Sequence, residues 1–213
     1  MNTDQLIQLL AQDVAPVPRY MVLRRIGLGI AVGGITSLLL IGALYGFNPE
    51  LDLAVQHAPF WIKWFYTFSL AVCAAVATAR LARPVGGQLG WVWMLALPVA
   101  ALMLIGVLSL SSVPSAQWQT VWLGQSWHSC SRRIFMLSLP IFIGLIWSFR
   151  SLAPTRLRLA GASAGLTAGA CSAVLYSLHC PEVSALFVLT WYSLGMLLAT
   201  GAGALLGPRL LRW

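Results

Sequence analysis

Apolar residues run in long blocks along this chain, without the alternation of a soluble helix or strand. Uncharged stretches span 26–49, 64–79, 84–131, 134–149, 159–181 and 183–208, and the charged residues cluster between them. A helix needs about 20 apolar residues to cross the hydrocarbon core of a bilayer. The third stretch has room for one crossing plus a loop, and each of the others holds about one. The pattern predicts an all-α integral membrane bundle of six transmembrane helices, near 26–47, 61–82, 91–112, 130–149, 159–178 and 186–206, within a transmembrane domain of residues 21–213. The second and fourth carry charges at their ends, Lys63 and Arg80 in one, Arg132 and Arg133 in the other. Long side chains of this kind are expected to snorkel to the interface.

Residues 1–20 form a separate unit. Leu6, Leu9, Leu10 and Val14 recur at the spacing of one helix face, with Asp4, Gln5, Gln8, Gln12 and Asp13 between them. Asn2 or Thr3 can cap the start, and Pro16 and Pro18 stop it. A helix of about three turns does not hold alone. It either orders against a partner protein or remains a loosely ordered tail; its two aspartates argue against anionic lipid as the surface it meets. The polar, acidic start does not have the form of a cleavable signal peptide, and the N-terminus is expected to be retained.

Composition agrees with the block pattern. Of 213 residues, 59% are apolar and 8% charged, where a soluble domain carries about 25% charge. Basic residues of membrane proteins collect in short cytoplasmic loops. With both termini cytoplasmic, that side holds Arg19, Arg24, Arg25, Arg80, Arg83, Arg150, Arg156, Arg158, Arg209 and Arg212, and the other only Lys63, Arg132 and Arg133. The net charge of +8 is therefore read as a topology signal. The arginines are scattered over loops without a dense patch, so no direct nucleic-acid contact is expected.

The six spans contain no aspartate or glutamate, which weakens a proton- or ion-coupled transporter. No phosphate loop, HExxH or Gly-x-Ser-x-Gly motif is present, so neither an enzyme nor a cofactor is expected. Gly161, Gly165 and Gly169 form a small-residue face suited to packing within the bundle or to a homodimer. In the loop 113–129, Trp118, Trp122 and Trp127 read as an interfacial aromatic belt. Cys73 and Cys171 fall mid-span as packing residues. Cys130 and Cys180 share the outer face, each beside a histidine, His128 and His179. Three readings stay open for them: a disulfide between two outer loops, a soft-metal site of two thiolates and one or two imidazoles, or unpaired thiols. Arg132 and Arg133 are placed to favour a Cys130 thiolate.

The stretches "TDQLIQLLAQDVAPV", "APTRLRLAGASAGLTAGA", "YSLHCPEVSALFVLTWYSLG" and "GPRLLRW" resemble the NrsF family of bacterial membrane proteins, from end to end of the chain. "LHCP", "LFVLTWY" and "GPRLLRW" are the specific parts; the "SRR" after Cys130 departs from the more apolar continuation expected there. The resemblance implies a multi-pass anti-sigma factor of the inner membrane, embedded in the lipid bilayer, that sequesters an extracytoplasmic-function sigma factor through its cytoplasmic N-terminus. It implies sigma contacts at Asp4, Leu6, Leu10 and Asp13, and a periplasm-facing pair, Cys130 and Cys180, tied to heavy-metal or oxidative stress. The rival reading is a small-molecule or metal transporter.

Overall fold

The computed structural model describes Thr3, Gln5 and residues 20–82, 90, 92–150, 152 and 154–212. Asp4, Leu6, Leu10 and Asp13 lie outside the described residues; Thr3 and Gln5 are both helical and exposed. All regular structure among the described residues is helical, as the bilayer requires of a chain whose backbone must satisfy its own hydrogen bonds.

Six helices are long and apolar enough to cross a membrane: α1 (Met21–Leu44), α2 (Ala58–Leu81), α3 (Val92–Ser111), α4 (Trp127–Phe149), α5 (Leu157–Tyr176) and α6 (Ala185–Leu210). The chain is a multi-pass membrane protein. Five spans begin or end within a few residues of the expected positions. The first starts earlier, at Met21, with Arg24 exposed and Arg25 half-buried on its first turns. The stretch expected as a loop over 113–129 is largely helical, with a 3-10 turn at Ser115–Gln117 and a short helix at Trp118–Leu123 leading into α4.

Up-and-down connections give the bundle two ends. At one, Ile26, Ala82, Phe149, Leu152 and Leu211 pack together, so α1 begins where α6 stops. At the other, Tyr66, Cys130, Tyr176, Cys180, Phe187 and Tyr192 form a second core. We call them the arginine end and the thiol end. Helix α5 is central: Ala160, Ala164, Ala168 and Ala173 are all fully buried. Helix α3 is peripheral and turns Trp93, Leu97, Leu104 and Leu108 outward, the aspect of a span facing lipid.

Close approach of backbones builds the centre, since apolar burial alone gives no preference for protein over lipid. A Cβ on Gly161 would collide with the Gly203 carbonyl, and one on Gly207 would lie 2.6 Å from the Leu157 carbonyl oxygen. The small-residue face of α5 is thus covered by α6. The same device joins α1 to α4, where a Cβ on Gly29 would sit 2.6 Å from the Gly144 carbonyl oxygen. Hydroxyls bridge the helices where they meet: Ser37 to the Leu137 carbonyl at 2.7 Å, Ser172 to the Ile134 carbonyl at 2.9 Å and Thr78 to Thr167 at 2.8 Å.

Candidate functional site

The turn between α5 and α6, residues 177–184, sits at the thiol end and is gripped by every neighbouring segment. From the α1–α2 connection, the Asn48 N–H donates to the Leu178 carbonyl at 3.1 Å. From the segment before α4, the Gln125 N–H donates to the Glu182 carboxylate at 2.7 Å. Gly124, beside it, has φ +57, and a Cβ there would press on Phe187 and Glu182. From α2, the Lys63 ammonium donates to the carbonyls of Cys180 at 2.8 Å and Glu182 at 3.0 Å. Ser184 then caps α6 by accepting the Phe187 N–H.

This grip brings Cys180 to Cys130 in the first turn of α4. The two thiols are within hydrogen-bonding reach of each other, and both are free. Both are buried, at 0% and 2% exposure. The Ser126 hydroxyl approaches the Cys180 sulfur at 3.9 Å. Above the pair, α6 opens into a π-helical stretch, Val188–Tyr192, a local widening that recurs at functional positions. The Ser131 hydroxyl satisfies the Trp191 carbonyl at 2.7 Å. The Tyr192 hydroxyl, fully buried, faces Cys180 and is the one buried side-chain polar atom among the described residues without a good hydrogen-bond partner.

The Cys180 thiol is pulled below the usual thiol range, to about 6. The hydrogen bond from Cys130 is the main cause, with the Lys63 charge, the Tyr192 hydroxyl and a backbone donor at Glu182 adding to it against the opposing effect of burial. A depressed value means more thiolate, the nucleophilic form. Sequence reasoning placed the assisting cation wrongly. Arg132 is exposed, and the Arg133 guanidinium bonds the His179 Nε2 at 3.1 Å and lies over the Tyr45 ring at 4.7 Å. Lys63, expected to snorkel outward, is the cation beside the thiols.

The histidines do not join the pair. His179 donates from Nδ1 to the Gly46 carbonyl at 2.8 Å and accepts from Arg133 on Nε2, so both ring nitrogens are committed to holding the turn. His128 is exposed and stacks on Trp127 with centroids 3.5 Å apart. Among the described residues no three His, Cys, Asp or Glu side chains come together as a metal-holding group. The tryptophans form a cluster, Trp191 lying 6.0 Å from Trp122 and 5.3 Å from Trp127, which roofs the start of α6.

Lys63, Glu182 and Tyr192 are the residues that the sequence did not announce as part of the site. A signal existed for the first: it is the only lysine in the chain, set within "PFWIKWFY", where arginine serves every other basic position.

The family model described as "Negative regulator of sigma F" matches residues 10–213. A probable anti-sigma-F factor of Azospira oryzae is 40% identical, and the anti-sigma-F factor NrsF of Caulobacter vibrioides 39% identical, each over the full length of both chains. No solved structure matches. With a family match over nearly the whole chain and full-length relatives at this identity, the chain belongs to the NrsF family.

Proposed function

We propose that this protein is an anti-sigma factor of the bacterial inner membrane, with both termini cytoplasmic. Its N-terminal segment holds an extracytoplasmic-function sigma factor, and its thiol end faces the periplasm and responds to oxidative or heavy-metal stress. The names of the two full-length relatives support the first part. The arginine bias of the end at which α1 begins supports the orientation. The observation that carries the sensing role is the meeting of Cys130 and Cys180, drawn from segments 50 residues apart and buried together. A periplasm is an oxidising compartment, and a buried, mutually facing pair of thiols there is poised for a change of redox state.

Coupling follows the packing. Cys130 starts α4, α4 lies against α1 through Gly144 and Gly29, and α1 leads directly from the N-terminal segment. Displacing the first turn of α4 therefore acts on the helix that presents the sigma-binding residues. A ligand or oxidant shifts this equilibrium only as far as it favours one of two bundle states. A short segment pays an ordering cost on binding, which keeps its affinity modest and its release easy.

Two reporter measurements test this reading. A periplasm-active reporter fused after Cys180 gives signal, and one fused at the C-terminus does not. Removing residues 1–18 raises transcription of sigma-dependent genes to the level of a full deletion; transcription at the level of the intact protein sinks the reading.

A further inference from the structure

Lys63 is 1% exposed although it lies only two turns inside α2, where a lysine at a lipid-facing helix end reaches for headgroups. It turns inward instead, and two of its three N–H donors are used on the carbonyls of Cys180 and Glu182. A buried ammonium is costly unless compensated, and carbonyl dipoles supply no net charge. The titratable groups facing it and the thiols come from every element around: Cys130 and Arg133 from α4, Tyr176 from α5, Tyr192 from α6, and Cys180 and Glu182 from the turn. The Arg133 charge is spent on His179, Tyr45 and Tyr176. The Glu182 carboxylate is engaged by the Gln125 N–H. That carboxylate keeps its charge and contributes to holding the Lys63 ammonium, but the sulfur pair is the larger charge partner.

We propose that Lys63 is the positioning residue of the thiol pair: its two carbonyl bonds hold the turn so that Cys180 faces Cys130, and its charge adds to the Cys130 hydrogen bond in making Cys180 the thiol that reacts first. The proposal rests on the thiol pair being the reactive element of the protein, as read above. With a hydroperoxide as oxidant, the Cys180 sulfur attacks the outer peroxide oxygen, the O–O bond breaks, and the leaving alkoxide or hydroxide takes a proton. Cys180 becomes a sulfenic acid. The Cys130 sulfur then attacks the Cys180 sulfur, the S–S bond forms, and hydroxide departs with the Cys130 thiol proton as water. In sum two thiols and one hydroperoxide give one disulfide, one alcohol or water, and one further water.

The test uses the full-length protein, reduced, in mild detergent. Iodoacetamide alkylation of Cys180 and Cys130 is followed separately by peptide mass spectrometry across a pH series. In the unaltered protein Cys180 is modified about tenfold or more faster than Cys130 at pH 7. In K63M, for a rise of one unit from about 6, the Cys180 rate falls about twofold at pH 7 and about tenfold at pH 5, and its pH profile moves upward; K63R keeps the low-pH profile. Should K63M fail to accumulate, K63Q makes the same comparison, because its amide still donates to a carbonyl but carries no charge. A Cys180 rate and profile unchanged in the neutral variant, or Cys130 reacting faster in the unaltered protein, overturns the proposal. Neither readout involves a sigma factor, so this failure is distinct from failure of the anti-sigma reading.

Discussion

The Lys63 Nζ donates to the Cys180 carbonyl at 2.8 Å, a bond between residues 117 positions apart that ties α2 to the turn joining α5 and α6. Through it the thiol-bearing turn is held from below, while Asn48 and Gln125 hold it from the flanking segments. A cysteine outside any helix is thereby held in place, and Cys130 is the thiol its sulfur meets.

Mild oxidation of the detergent-solubilised protein yields an intramolecular Cys130–Cys180 disulfide, found as a single cross-linked peptide after digestion. Cys73, whose thiol bonds the Met94 carbonyl at 3.6 Å, and Cys171 stay reduced. Replacing either Cys130 or Cys180 with Ser removes the product. A cross-link between two copies, or one through Cys171, would contradict the geometry.

Reactivity of Cys180 depends on pH in a defined direction. Its folded-state value is lowered to about 6, so the thiolate persists below the range of an ordinary thiol, about 8.5. Alkylation is near its plateau at pH 7 and declines as pH falls through about 6. A rate still climbing steeply between pH 8 and 9 would show an unperturbed thiol.

Adding one methyl at the α5–α6 contact is destabilising. Gly161→Ala forces a Cβ onto the Gly203 carbonyl, and overpacking of this kind costs about 1–3 kcal/mol. Thermal unfolding in detergent therefore shifts down by several degrees. Gly34→Ala, where nothing lies within 4 Å of the added carbon, serves as the control and leaves the transition in place.

Glu182→Ala deletes the acceptor of the Gln125 N–H and frees the segment that brings Ser126 against Cys180. Alkylation of Cys180 accelerates several-fold while the unfolding temperature changes little. An unchanged rate would mean that this segment does not limit access to the thiols.

The six spans were legible because the bilayer leaves a chain so few options: about 20 apolar residues between charges make a helix that crosses. The pairing of Cys130 with Cys180 was approachable for the same reason, since counting spans puts both at one end. What a single sequence hides is the side a residue faces. Lys63 looked like a snorkelling end residue because hydropathy treats lipid and protein interior alike. For His179 the reading as a ligand stayed open, because proximity to a cysteine in sequence says nothing of its bonds to Gly46 and Arg133. The glycines of α5 were visible as a face, yet their partner on α6 had to be seen. The π-helical stretch that ends at Tyr192 left no pattern of its own in "VLTWY".

The decisive measurement is the amount of sigma factor that copurifies with the tagged full-length protein in mild detergent, from untreated cells and from cells exposed to a hydroperoxide or to cadmium. Sigma factor accompanies the protein from untreated cells, falls away after exposure, stays bound after exposure when Cys180 is replaced by Ser, and is lost when residues 1–18 are removed. No sigma factor with the intact protein, or an equal amount without residues 1–18, would contradict it.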